Sequence, residues 1–276
     1  GDGYFGLQKN NQTRDLCFPT VEDVLVDGLE HVSAVRSDHA ADIRKIQFQR
    51  AARTDKGVHA ACNVASLKLN LMKWGNEEIC EEPKYTIGKR PPENRADLVR
   101  RLNSFLIPES EGRIKVYDCI QVCQSFDSKK SCDSRTYCYM LPTCLLAHVA
   151  DQQMIDASYR INSKTLEKAR DLFSLFHGSH NFHNFTKGKR FTDPSSVRHI
   201  MGIGLSDPFE IDMGTSVSLE VCLLTIHGQS FMFNQIRKMV AFASYLMRGL
   251  FLPVGDVPTD GLSSELHFFN LAFSSA

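Results

Sequence analysis

The sequence lacks the features that define several large classes of protein. Its longest apolar runs are far shorter than a membrane span, and it shows no signal-peptide pattern. It has no low-complexity tract, and with 42% hydrophobic and 23% charged residues its composition is that of an ordinary globular protein. Because it has no phosphate-binding loop, dinucleotide-binding glycine motif or nucleophile-elbow motif, we expect no nucleotide, flavin or nicotinamide cofactor.

The chain also has no net charge, since 32 basic residues balance 32 acidic ones. Proteins that bind nucleic acids usually have a basic excess, because they must neutralise phosphates. Local basic clusters can still neutralise phosphates, although each cluster could equally be an ordinary solvated face. Three such clusters are found within residues 44–56, at residues 100–101 and within residues 187–190.

The nine cysteines form no Cys-x-x-Cys pair, and their number is odd. An odd count in a chain of 276 residues favours reduced thiols, and therefore an intracellular protein, over a disulfide framework. The chain does not begin with Met, so we expect its true N-terminus, with any targeting segment, to lie outside this sequence. If the source is eukaryotic, we expect the nucleus or mitochondrion, with the cytoplasm as an alternative.

Three histidines, His177, His180 and His183, recur at intervals of three and could suggest a metal cluster. Gly178 and Asn181 lie between them and would break a helix that aligned the imidazole rings. No fourth ligand is apparent, so we expect no metal site.

The periodicity of apolar residues predicts two successive parts with the same order of elements. Residues 1–8 read as a turn-like fragment after a strand that begins before the supplied sequence. The first part then has a helix capped by Thr20, strands over 43–49 and 61–69, a helix ended by Pro108, and a strand over 113–122. The second part has strands over 133–141, 197–205, 217–226 and 265–271, with helices over 163–176 and 230–249.

With the first strand restored, both parts read β-α-β-β-α-β, which is the ferredoxin-like order. A chain of this length also suits two packed halves. We therefore predict an α+β protein with an N-terminal half over residues 1–125 and a C-terminal half over residues 126–276. The two halves are expected to form one long, mostly antiparallel sheet with helices on one face and a central cleft.

An aspartate surrounded by cations lies in the predicted loop of the first half, RAARTDKGVHA over residues 50–60. Gly57 can take the positive φ that a tight turn requires. Arg50, Arg53 and Lys56 would keep the carboxylate of Asp55 ionised even if it were partly buried, as a nucleophile or general base requires. The alternative is that Asp55 only caps the turn while the cations are solvated.

Two stretches of the second half carry residues that could bind a base or an anion. Arg135, Tyr137 and Tyr139 alternate along a strand and so share one face. The rings could stack on an extruded base, or they could simply pack in the core. Arg237 lies in an apolar helix, where it would usually extend to solvent. If it instead faces a cleft it needs an anion, and Asp55 is the obvious partner.

These stretches resemble, in order, the three active-site motifs of the TruA-type pseudouridine synthases. RTDKGVHA resembles the motif that carries the catalytic aspartate, and RTYCY over 135–139 resembles Arg-x-Tyr-x-Tyr. The helix with Arg237 resembles the third motif, although Asn234 stands where the family commonly has His. The stretches SCD at 131–133, GSHNFHNFT at 178–186 and QIRKM at 235–239 are similar to the eukaryotic branch.

The resemblance implies the pseudouridine synthase fold and an isomerase that acts on tRNA, with snRNA and mRNA left open. It implies that Asp55 is the catalytic carboxylate, that Arg237 pairs with it, and that Tyr137 packs on the target base. The remaining expected substrate-binding residues are Arg53, Lys56, His59 and Arg135. We expect no cofactor, no metal and no membrane, and either a monomer or a homodimer.

Two other functions remain open. A non-catalytic RNA-binding protein could be built on tandem ferredoxin-like halves, but it would not require Asp55, whose charge would repel phosphate. A glycosidase-like hydrolase would use Asp55 with a second carboxylate, for which Asp133 is the candidate.

Overall fold

The computed structural model describes residues 2–9, 19–72, 91–149, 156–214, 217–250 and 262–274. The chain has a mixed α/β fold with a large antiparallel sheet and helices. It divides between Cys132 and Asp133 into two compact units, and each unit has its own hydrophobic core. Among the helices of the described ranges, none is long and apolar enough to cross a bilayer. The seven cysteines in these ranges are free thiols.

The first unit contains two main helices and a short strand ladder. Its elements are α1 (Val21–His31), α2 (Ser37–Ala40), β1 (Gln49–Arg50), β2 (Ala65–Ser66) and α3 (Arg95–Glu109). The start of α1 is confirmed, because Thr20 and Asp23 form a reciprocal capping box. Thr20 N donates to Asp23 Oδ2 at 2.9 Å, and Asp23 N donates to Thr20 Oγ1 at 3.2 Å. The core between α1 and α3 includes Val26, Leu29, Leu98, Leu102 and Leu106.

The strand predicted over residues 113–122 is wrong, since these described residues form no strand. Their backbone binds side chains of the preceding segment instead of a neighbouring strand. Asn103 Nδ2 donates to Val116 O at 2.7 Å, and Val116 N donates to Asn103 Oδ1 at 2.8 Å. Ile114 N likewise donates to Ser110 Oγ at 3.0 Å.

The two strands predicted around the Asp55 loop are present but short. β1 and β2 are antiparallel and pair Gln49 with Ser66 and Arg50 with Ala65. The predicted start of the first strand at residue 43 is wrong, because Phe48 N donates to Ile43 O at 3.2 Å and Gln47 has φ of 52°. A turn therefore occupies most of that segment.

The second unit contains a five-stranded antiparallel sheet. Its strands are β3 (Arg135–Pro142), β4 (Gly178–Asn181), β5 (Val197–Leu205), β6 (Phe209–Ile211) and β7 (Leu219–Gly228). The order is β3-β7-β5-β4, and β6 also pairs with β7. The structure confirms the predicted strands that correspond to β3, β5 and β7. Strands β4 and β6 were not predicted, because they are too short to show an alternating pattern.

One face of this sheet shares a core with the helices of the second unit, α4 (Ser163–Ser174), α5 (Gln235–Met247) and α6 (Leu262–Phe273). Alternating residues of the paired strands supply the sheet side of the core, because successive side chains of a strand point to opposite faces. They include Tyr139 and Leu141 on β3, Ile203 and Leu205 on β5, and Cys222, Leu224 and Ile226 on β7.

Two predicted elements near the end of the chain are wrong. The strand predicted over 265–271 is part of α6, in which Phe269 and Phe273 are four residues apart and both contact the ring of Phe176. The helix predicted from Ser230 begins at Gln235, because Asn234 has φ of 58°. Gln235 is buried, and its Oε1 accepts from Met232 N at 2.9 Å. The second unit therefore ends in a helix where the predicted order requires a strand.

Candidate active site

Asp55 lies in an exposed turn of the loop between β1 and β2. Asp55 O accepts from Val58 N at 3.0 Å, and Gly57 has φ of +76°, which confirms the expected role of this glycine in the turn. Two hydrogen bonds join the two ends of the loop at its base. Ala51 N donates to Val64 O at 2.8 Å, and Asn63 Nδ2 donates to Ala52 O at 3.1 Å.

The N-terminal fragment fixes the residue that precedes Asp55. Leu7 N donates to Thr54 O at 3.0 Å. The same fragment binds the start of α1, since Val21 N donates to Gly6 O at 3.2 Å and Glu22 N donates to Leu7 O at 3.1 Å. The N-terminal fragment, which was predicted only as a turn, therefore connects the Asp55 loop to helix α1.

Two of the cations near Asp55 in sequence, Arg50 and Lys56, contact other groups. Arg50, one of the cations expected beside Asp55, forms an ion pair with Glu22 through Arg50 Nε and Glu22 Oε1. Lys56 Nζ lies 4.8 Å from the centroid of the Phe5 ring, a cation–π contact. Arg53 is exposed, as is His59.

Arg50 is held by Glu22 because a buried carboxylate needs a counter-charge. The side chain of Glu22 is only 2% exposed. Burial raises the pKa of the Glu22 carboxyl, while the hydrogen bond from Lys9 N and the charge of Arg50 oppose that shift.

The strand β3 carries Arg135, Tyr137 and Tyr139 on one face, as predicted, because these half-buried residues alternate with exposed ones. The Tyr137 ring packs edge-on against Phe231, with centroids 5.0 Å apart and planes at 78°. Arg135 Nη1 donates to Gln229 O at 2.7 Å. The segment after β7 thus contacts two side chains of the motif strand.

Arg237 is exposed and lies in the first turn of α5, because the helix begins at Gln235 and not at Ser230 as predicted. The N-terminal end of a helix disfavours a cation by roughly 0.3–1 kcal/mol, so this placement does not stabilise the helix. Arg237 lines a pocket of ≈ 410 Å³. The other lining residues include Tyr139, Tyr245 and Arg248.

The segment after β4 holds the start of α5 in place. Lys238 Nζ donates to Thr186 O at 2.6 Å and to Asn184 O at 3.2 Å, and Thr186 Oγ1 donates to Phe233 O at 3.0 Å. Residues 184 and 186 belong to a stretch that is similar to the eukaryotic branch, whereas Lys238 was not among the predicted site residues. The feature of the sequence that could have identified Lys238 is its position next to Arg237 in an apolar helix.

Two of the three spaced histidines place a ring nitrogen beside a nearby backbone oxygen. His180 Nε2 lies 2.9 Å from His177 O, and His183 Nδ1 lies 3.4 Å from Asn181 O. In the ranges that the structure describes, no three His, Cys, Asp or Glu side chains are grouped as metal ligands would be. Asp133, the candidate second carboxylate of a hydrolase, is exposed and accepts from Ser134 Oγ at 3.1 Å.

The antiparallel sheet, the helices and the three motif-bearing elements are consistent with a pseudouridine synthase. A family model described as tRNA pseudouridine synthase matches residues 172–254, which contain β5, β7 and the α5 helix of Arg237.

Comparison with curated proteins agrees with that match. The chain is 37% identical over 249 residues to the pseudouridylate synthase 1 homologs of Mus musculus and Homo sapiens, covering 90% of this chain and 51% and 50% of those proteins. It is 31% identical over 323 residues to tRNA pseudouridine synthase 1 of Saccharomyces cerevisiae, covering 90% of this chain and 53% of that protein. The chain spans about half the length of these relatives. Together the matches confirm the resemblance to the eukaryotic TruA-type tRNA pseudouridine synthases.

Proposed function

We propose that this chain is a tRNA pseudouridine synthase, which isomerises specific uridines of tRNA to pseudouridine. The observation that carries the proposal is the RTDKGVHA turn, in which Asp55 is exposed. The preceding residue, Thr54, is held by a hydrogen bond from Leu7 of the N-terminal fragment. The reaction detaches uracil from C1′ of the ribose, turns it and rejoins it through C5. Substrate and product have the same atoms and oxidation state, so the reaction requires no redox cofactor.

In this proposal Asp55 is the carboxylate that attacks the sugar or assists departure of the uracil. Arg237 is the basic residue that orients this carboxylate, and Tyr137 packs on the extruded uracil. Arg53 takes the space left by the flipped uridine or braces its backbone. The other proposed RNA contacts are Lys56, His59 and Arg135.

We further propose that the chain has the two ferredoxin-like halves of a pseudouridine synthase, residues 1–125 with the aspartate loop and residues 126–276 with the tyrosine strand and arginine helix. This division is supported by the strand order β3-β7-β5 of the second unit, which is that of the first, third and second strands of a ferredoxin-like sheet. The proposed boundary between the halves lies seven residues before the division between the two compact units, at Cys132 and Asp133. We propose a monomer or homodimer that acts inside the cell, in the nucleus or mitochondrion.

Release of tritium from total tRNA that carries [5-³H]uridine tests the function, because C5 must lose its hydrogen to bond to C1′. We expect release while the RNA strand stays intact. Strand scission or free uracil would instead show a hydrolase. Binding of tRNA without release would show the non-catalytic RNA-binding protein. The same assay with snRNA and mRNA defines the range of substrates.

Truncation of Tyr137 separates stacking from hydroxyl chemistry. Stacking of a base on an aromatic ring contributes about 1–3 kcal/mol, so Tyr137→Ala should lower kcat/KM roughly 5- to 150-fold. Tyr137→Phe keeps the ring and should remain close to wild type. Tyr117→Ala, which removes a ring that is 68% exposed in the first unit, is the control. Equal losses of kcat/KM in Tyr137→Phe and Tyr137→Ala would show that the Tyr137 hydroxyl takes part in catalysis.

Substitution of Gly6 tests how strongly kcat depends on the position of the Asp55 turn. Gly6 has φ of +92°, and a Cβ there would lie 2.9 Å from Thr54 O, so Gly6→Ala must displace the residue before Asp55. A displacement of about 1 Å can cost on the order of 10²-fold in rate, so kcat should fall on that scale.

Gly112→Ala is the matched control for Gly6→Ala. Gly112 has φ of +77° with no atom within 4 Å of the added Cβ, so it imposes similar backbone strain without moving the turn. Its kcat should stay near wild type. If both variants lose the same activity, general strain explains the effect.

A further inference from the structure

A buried ion pair lies at the base of the Asp55 loop, between residues to which the motif resemblance gives no role. Glu22 is in the first turn of α1, and Arg50 ends β1, five residues before Asp55. Their side chains are 2% and 15% exposed, and Arg50 Nε contacts Glu22 Oε1. The second carboxylate oxygen, Glu22 Oε2, accepts from Lys9 N at 2.8 Å.

Glu22 is connected to the loop at two points. Its side chain binds Arg50, where the chain leaves β1. Its backbone N–H donates to Leu7 O at 3.1 Å, and Leu7 N donates to Thr54 O at 3.0 Å. One residue of α1 therefore constrains the loop both where it begins and directly before Asp55.

Stability alone does not account for this arrangement. Removing two charges from water costs about as much as their attraction returns, and well-packed apolar residues of similar volume often stabilise a protein as well as a buried pair. The pair does restrict position, because the close attraction to a carboxylate that Lys9 N also holds limits where the Arg50 guanidinium can lie. The Arg50 guanidinium also lies 5.4 Å from the centroid of the Phe48 ring, which fixes it further.

We propose that Glu22 and Arg50 are positioning residues, which hold the Asp55 loop in the geometry required for catalysis. This inference rests on the proposed function, since it assigns a purpose to the loop geometry in that reaction. The pair acts through the path of the chain and contacts neither the uridine nor its ribose.

The test compares the single variant Glu22→Gln with the double variant Glu22→Leu/Arg50→Met. Glu22→Gln leaves Arg50 without a counter-charge, so both thermal stability and kcat should fall. The double variant removes both charges and should regain a Tm close to wild type, while kcat stays on the order of 10-fold or more below it with an unchanged Kd for tRNA. Glu30→Gln, the same change on the same helix, is the control and should leave all three quantities unchanged.

Recovery of kcat together with Tm in the double variant would overturn the inference, because the pair would then be merely structural. A wild-type chain that releases no tritium would overturn the proposed function instead. Amide hydrogen exchange of a peptide covering residues 51–64 tests the positioning role without activity. We expect at least about 10-fold faster exchange there in the double variant at retained Tm, and unchanged exchange would refute the role.

Discussion

Asp55→Asn is expected to lower tritium release at least about 10⁴-fold, the scale of loss when a catalytic side chain is removed. Asparagine has nearly the shape of aspartate, but its amide is neither a nucleophile nor a base. Because Asp55 is exposed, the change should alter the free energy of unfolding by no more than about 0.5 kcal/mol. Tritium release, thermal unfolding and filter binding of tRNA measure these three properties.

Asp118→Asn is the matched control for this result. Asp118 is another exposed aspartate of the first unit, and its side chain accepts a hydrogen bond from Cys119 N. It should retain wild-type turnover. If Asp55→Asn formed product at a rate within tenfold of wild type, the proposed carboxylate mechanism would be refuted. Loss of tRNA binding by Asp55→Asn would instead place Asp55 among the substrate contacts.

Phe176→Ala should have the largest effect on stability. Phe176 is fully buried two residues after the end of α4, and its ring lies 4.8 Å from Phe269 and 6.1 Å from Phe273 of α6, centroid to centroid. It also contacts Phe185, at 5.7 Å. Truncation of a buried Phe typically costs about 3–5 kcal/mol in the free energy of unfolding, because transfer and cavity costs add.

Urea denaturation followed by circular dichroism measures this change. Phe209→Ala is the control, since the Phe209 side chain on β6 is 42% exposed and its removal should cost no more than about 0.5 kcal/mol. A loss below about 1 kcal/mol for Phe176→Ala would mean that these rings are not packed together in solution.

Local signals in the sequence predicted much of the second unit. The alternation over 197–205 corresponds to the bounds of β5, and the helix predicted from Ser163 ends two residues beyond α4. The shared face of Arg135, Tyr137 and Tyr139 follows from the two-residue period of a strand. Short β4 contains four residues, GSHN, without apolar alternation, so only its pairing with β5 identifies it.

The sequence could not predict which groups distant segments would bind. Arg50 lies close to Asp55 in sequence, yet it pairs with Glu22, because burial leaves that carboxylate in need of a cation. Asn103 occupies the backbone groups of Val116, so apolar alternation over 113–122 does not produce a strand. In both cases the choice depends on partners brought together by folding.

By itself the sequence determined the properties that depend on near neighbours in the chain: the Thr20 cap, the periodic faces of helices and strands, and the residues of the Asp55 turn. Only the tertiary structure decided that 265–271 is helical, that Arg237 lies at the start of its helix, and that Glu22 contacts Arg50 and is linked to Thr54 through Leu7. The physical reason is that burial and the competition for hydrogen-bond partners are set by residues far apart in sequence, and local spacing does not contain that information.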